Sequence, residues 1–256
     1  MTPSLNVSNV LDVSTEVITK YLKYLANPEV AEHSQRFFKT KKGQYGYGDV
    51  FLGIRVPVIR KAVKQFKTAS LDTTQQLLKS KYHEIRLFAL LLLIQHFNQK
   101  AEFNKVLQVK QSDVQKQVFD LYLSHTQFIN NWDLVDSSAP YIVGAYLMNR
   151  DRSILLELAQ SDDLWQRRIA IIASFYFIKQ QQFSETLQIA ELLLADQHDL
   201  IHKAVGWMLR EIGNRDRAVE EAFLKPRYQT MPRTMLRYAI EKFPKPLYQQ
   251  YLRGEI

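Results

Sequence analysis

Apolar residues recur along the chain at spacings of three and four, the period of a helix with one buried face. Val17, Tyr21, Leu22 and Leu25 make a first such face. Val58, Ile59, Ala62, Val63 and Phe66 make another, opened by Pro57. Residues 85–97 are apolar almost all round, which predicts a helix buried on every side. The same period predicts helices within 114–123, 134–148, 164–178, 187–194, 201–212 and 234–243.

A weak self-similarity runs through these stretches. A basic residue stands just ahead of a small one in Arg86…Ala89, Arg168…Ala170, Lys203-Ala204 and Arg237…Ala239. Ala170 to Ala204 is 34 residues and Ala204 to Ala239 is 35, while Ala89 to Ala170 leaves room for two such units. Periods of this length belong to solenoids that stack pairs of helices into a curved sheet. The expected fold is therefore all-α, a curved solenoid, with 1–256 as a single domain and the first dozen residues disordered. Residues 40–56 break the helical period. Four of the eight glycines fall between Gly43 and Gly53, which predicts a loop. Flexible glycine with Lys41, Lys42, Tyr45 and Arg55 around it suits contact with a sugar-phosphate strand, or serves only to connect helices.

Composition narrows the function classes. The chain of 256 residues has no cysteine, which excludes disulfides, thiolate metal sites and thiol nucleophiles and fits a reducing compartment. The longest apolar run, Leu87 to Ile94, is far short of the roughly 20 residues that span a bilayer. No secretory signal is evident, so a cytoplasmic, nucleoid-associated protein is expected. The net charge is +8 and is unevenly placed: +6 over residues 1–70, −3 over 71–200 and +5 over 201–256. Two basic ends of a curved molecule would flank a polyanion, binding phosphates without reading sequence. No glycine-rich phosphate loop occurs. His198 and His202, one helical turn apart, lack a third ligand, so no metal is expected.

Three stretches carry candidate chemistry. In Asn130-Asn131-Trp132-Asp133-Leu134-Val135-Asp136 an asparagine is a natural helix cap, and Asp133 is a first-turn acid. Trp132 and Asp136 are then one turn apart on one face. Such a pair holds a cationic group between ring and carboxylate; alternatively Trp132 is core and Asp136 serves a basic neighbour. Trp165-Gln166-Arg167-Arg168 opens the next apolar helix, with Trp165 packing, Arg167 outward and Arg168 inward. In the third stretch Lys203, Trp207 and Arg210 share a face, a base–aromatic–base stripe that suits a sugar-phosphate strand. Gly206 beside Trp207 costs the helix roughly 1 kcal/mol relative to alanine, so something must come close there, a backbone or a ligand.

Together, W-D-x-V-D at Trp132–Asp136, W-x-x-R-x-A-I from Trp165 and K-A-x-G-W-x-L-R-E from Lys203 resemble the AlkD family of bacterial DNA alkylation repair glycosylases. F-L-G-I-R-V-P from Phe51 and M-P-R-T from Met231 extend the resemblance over nearly the whole chain. It implies HEAT-like repeats whose concave basic face cradles duplex DNA. It implies hydrolysis of the N-glycosidic bond of cationic alkylated purines such as 3-methyladenine and 7-methylguanine, by a monomer without metal or cofactor. Asp136 matches the family's catalytic aspartate, Trp132 the tryptophan one turn before it, Arg168 the arginine of the second motif and Trp207 the tryptophan of the third. Arg210 matches a phosphate-facing arginine. The family often has two adjacent tryptophans here, and the first is Asn131 in this chain. Arg168 would fix a phosphate or orient Asp136. The alternatives are a non-catalytic DNA-binding relative and a helical-repeat adaptor for proteins.

Overall fold

The computed structural model describes residues 13–99 and 111–256. The expectation of disorder over the first dozen residues falls outside them. The chain forms two compact units that divide between Leu121 and Tyr122. The described residues are helical, with one isolated bridge, Val50 to Tyr82, and no strand.

The first unit holds α1 (Thr15–Tyr24), α2 (Pro28–Phe37), α3 (Val56–Gln65), α4 (Leu71–Leu78) and α5 (His83–Asn98). The unit boundary falls within α6 (Gln111–Leu123). The side chains of Ser14, Asn27 and Ser70 accept backbone N–H bonds from Val17, Val30 and Thr73, satisfying donors that a helix start leaves open. As its all-apolar pattern predicts, α5 is buried along nearly its whole length, and α3 and α4 pack against it.

The glycine-rich segment is a built structure rather than a loose loop. Glu84, in the first turn of α5, accepts the backbone N–H groups of Leu52 (2.9 Å), Gly53 (2.7 Å) and Ile54 (3.2 Å). Asp49 accepts from Arg86 at 2.6 Å and lies 3.1 Å from His83 Nδ1. Gly53 has φ +79°, and a Cβ there would stand 2.0 Å from the Asn27 carbonyl oxygen, so only glycine fits. The N–H groups of Leu52, Gly53 and Ile54 are thus spent inside the protein. Lys41, Lys42 and Arg55 are nevertheless exposed at the ends of the segment.

The second unit holds α7 (Trp132–Ala139), α8 (Ala145–Leu147), α9 (Ser153–Ala159), α10 (Leu164–Ala173), α11 (Phe175–Ile178), α12 (Ser184–Leu192), α13 (Asp199–Gly213), α14 (Arg217–Leu224), α15 (Arg233–Ala239) and α16 (Lys245–Arg253). The continuous helix expected over 134–148 is interrupted by one wide π turn, Pro140–Gly144, between α7 and α8. Proline has no N–H, so it cannot donate to the carbonyl four residues back, which is that of Asp136.

Two glycines of the second unit make matching close contacts. A Cβ on Gly144 would stand 2.2 Å from the Ala173 carbonyl oxygen and 2.7 Å from Tyr176 Cβ. On Gly206 it would stand 2.4 Å from the Met235 carbonyl oxygen and 2.5 Å from Tyr238 Cβ. In both cases the partners come 29 and 32 residues after the glycine. Of the two possibilities at Gly206, the close neighbour is therefore another helix backbone. Ala89, Ala170, Ala204 and Ala239 are all fully buried.

Candidate functional site

The three candidate stretches all lie in the second unit. Asn131, fully buried, is the N-cap of α7, and its side chain accepts the Trp132 N–H at 2.9 Å. The cap fixes where the first turn begins. Leu134, Val135, Ser138 and Ala139 face the core, while Trp132, Asp133 and Asp136 are half-buried. Trp132 and Asp136 are thus one turn apart on the partly open side of α7.

Asp163 caps α10, accepting from the N–H groups of Trp165 (2.8 Å) and Gln166 (2.9 Å). Trp165 is buried packing, as expected. Arg167 was expected to face solvent. Instead its Nε meets Asp196 at 2.6 Å and its Nη1 reaches the Ser161 and Asp162 carbonyls. Arg168 points inward and grips Asp136 with two parallel bonds, Nε to Oδ1 at 2.9 Å and Nη2 to Oδ2 at 2.8 Å. Its Nη1 donates to the Leu200 carbonyl in the first turn of α13. One guanidinium therefore ties α7, α10 and α13 together.

The pair is not sealed: 5% of the Arg168 side chain is exposed but 18% of the Asp136 side chain is. Burial pushes the Asp136 carboxyl above its ordinary range, Arg168 opposes that, and Asp133 adds to it. A guanidinium does not give up its proton at any ordinary pH, and its fork fits an ionised carboxylate. The geometry is thus that of an anion held in place by Arg168.

On α13, Lys203 pairs with Asp199 at 2.6 Å, and Arg210 pairs with Glu241. Trp207 is half-buried, its Nε1 donates to Glu211 Oε1 at 3.2 Å, and its ring centroid is 6.0 Å from that of Phe175. His198 accepts the Leu200 N–H, and His202 Nε2 meets the Asp196 carbonyl. Among the described residues no three metal-ligating side chains gather.

Asp136 and Arg168 bond directly, Arg168 reaches the first turn of α13, the helix that carries Trp207, and Trp132 stands one turn before Asp136 on α7. Lys41, Lys42, Tyr45 and Arg55 lie in the first unit, with Tyr45 half-buried and 6.0 Å from the Lys39 ammonium. Sequence reasoning missed Glu211, the partner of Trp207, and an aromatic cluster around Lys179. The signal for the second was present: Phe175 and Tyr176 precede Lys179 by four and three residues.

The chain matches a family model described as DNA alkylation repair enzyme over residues 18–243. A solved structure titled "Predicted DNA alkylation repair enzyme from Enterococcus faecalis" is similar at 17% identity and a TM-score of 0.62, covering 86% of this chain and 97% of that one. No curated protein matches the chain.

Proposed function

Since the chain belongs to the DNA alkylation repair enzyme family, we propose that it is a DNA glycosylase releasing cationic alkylated purines, such as 3-methyladenine and 7-methylguanine, from duplex DNA. The observation that supports this most is Asp136, held as an anion by two bonds from Arg168 yet still partly open on the Trp132 side of α7.

The chemistry asks for little more. A purine alkylated on its ring carries positive charge, so it leaves without being protonated. The C1′–N bond breaks, its electron pair goes with the base, and the base becomes neutral. Positive charge appears on the deoxyribose, where the fixed Asp136 carboxylate stabilises it. Water then bonds to C1′, and its proton passes to the carboxylate or to solvent. Arg168 orients Asp136 rather than a phosphate in this scheme, since both ends of its fork are engaged. Trp132 and Trp207 hold the sugar by their ring faces. Lys41, Lys42 and Arg55, exposed on the first unit, are candidates for phosphate contact on that unit by itself.

The test is release of methylated bases from alkylated duplex DNA by the purified protein. Asp136→Asn should lower release by about 10²-fold or more while duplex binding persists. Because the Asp136 carboxyl is pushed up, activity should fall on acidification above the usual carboxylate range. Salt-sensitive binding by a wild-type protein that releases no base would overturn the glycosylase and leave a non-catalytic DNA-binding relative.

A further inference from the structure

Most cations in this part of the second unit are spent on carboxylates of the same chain. Arg168 is held to Asp136, Lys203 to Asp199, Arg210 to Glu241 and Arg215 to Glu211. Lys179, the residue that follows α11, is different. It is exposed and pairs with no carboxylate among the described residues. Its ammonium instead stands 5.0 Å from the ring centroid of Tyr141, 5.1 Å from Phe175 and 5.3 Å from Tyr176.

Three rings stabilise a cation through their faces without taking up its hydrogen-bond donors or cancelling its charge. The cluster continues directly into the candidate site, because Phe175 also lies beside Trp207. Arg215, itself paired with Glu211, has its guanidinium 5.8 Å from the Phe175 ring. Partial covering of the otherwise exposed Lys179 side chain first, and Arg215 second, hold its pKa below the usual value. Both causes make the ammonium costlier to keep charged, and an anion arriving from solvent would relieve that cost. Tyr141, at 41% exposure, leaves ring surface free beside it. A cation on an aromatic platform, next to an indole, fits one unit of a nucleic-acid strand: phosphate on the ammonium, sugar or base on the rings.

We infer that Lys179, cradled by Tyr141, Phe175 and Tyr176, is the residue by which this face grips a backbone phosphate of duplex DNA. The inference rests on the glycosylase reading only in taking duplex DNA as the ligand. It adds a phosphate contact at Lys179 to the one that the family resemblance gives Arg210.

The experiment measures binding of an unmodified duplex by fluorescence anisotropy between about 50 and 200 mM salt. One lost phosphate contact reduces the slope of log K against log salt by about 0.9. Lys179→Ala should show that reduction together with weaker binding at low salt. Lys179→Arg should restore both, and Arg227→Ala, at a cation paired with Glu191 outside the candidate site, should leave the slope near wild type. Melting curves confirm that each variant is folded. An unchanged slope in Lys179→Ala, or an equal slope loss in Arg227→Ala, overturns the inference while base release by the wild type still upholds the glycosylase. A wild-type protein that binds no duplex at low salt overturns both.

Discussion

Arg168 shows how much one side chain can settle. It is buried, makes two bonds to Asp136 and reaches the Leu200 carbonyl, so removing it strands a carboxylate that is four-fifths covered. Breaking such a pair from one side costs about 3 kcal/mol, whereas an exposed pair one helical turn apart costs under about 1 kcal/mol. Arg168→Ala should therefore lower the denaturation midpoint far more than Lys203→Ala, whose pair with Asp199 is of the exposed kind. Equal losses in a urea titration would contradict this account of the pair. The sequence told that Arg168 turns inward and that Trp132 and Asp136 share a face. It did not tell whether Arg168 meets a phosphate or Asp136. The two residues are 32 apart in sequence, and which helices pack together is not written in the spacing within any one of them. The spacing hides the partner of Arg167 for the same reason, since Asp196 comes to it from 29 residues further on.

Among the elements, long amphipathic or wholly apolar stretches were easy to read and short ones were not. α5 and α13 follow their patterns closely. α2 buries no residue fully, and α4, α9, α14 and α16 span two to three turns, too few for a periodicity to stand out. The glycine-rich segment read as loose because what fixes it, Glu84, belongs to another element. Gly206 was noticed but its neighbour was not identified, because the neighbour is α15. This yields a prediction for the α13–α15 contact. Gly206→Ala gains helix propensity but presses a Cβ against backbone at Met235, so the helices must part. The net loss should be about 1–3 kcal/mol by thermal or chemical melting. A stabilised variant would mean that the contact is slack.

Charge is where the whole molecule departs most from its sequence. Counting residues placed the basic character at the two ends of the chain and a net −3 over residues 71–200. Lys179 lies in that acidic middle, yet among the described residues no carboxylate pairs with it, while Lys203, Arg210, Arg215, Arg217 and Arg227 of the basic end are each paired. Pairing depends on the fold, so a linear count cannot reveal it. Global stability should also depend on pH in a direction set by Glu220. This side chain is buried, its Oε1 has no hydrogen-bond partner among the described residues, and its pKa is raised from 4.5 to about 8, chiefly by burial, against the pull of Arg217 and Arg210. Between those values the folded protein keeps a proton that the unfolded chain has lost, so raising the pH favours unfolding. The contribution is intact below the unfolded value and disappears as pH climbs through the folded one. Its full size is a few kcal/mol, at about 1.4 kcal/mol per pH unit. Glu220→Gln should flatten the loss of stability between pH 5 and 8, measured by denaturation across that range, and an unchanged curve would place the proton elsewhere. The paired glycines, finally, constrain how this chain can drift over generations. Gly144 and Gly206 each wait for a carbonyl that arrives 29 residues later. One inserted residue inside α10 ahead of Ala173 would turn the following helix by about 100° and present a side chain where a bare backbone is required. Descendants of this sequence are freer to change letters on their helices than to change helix length, and insertions should collect in the turns.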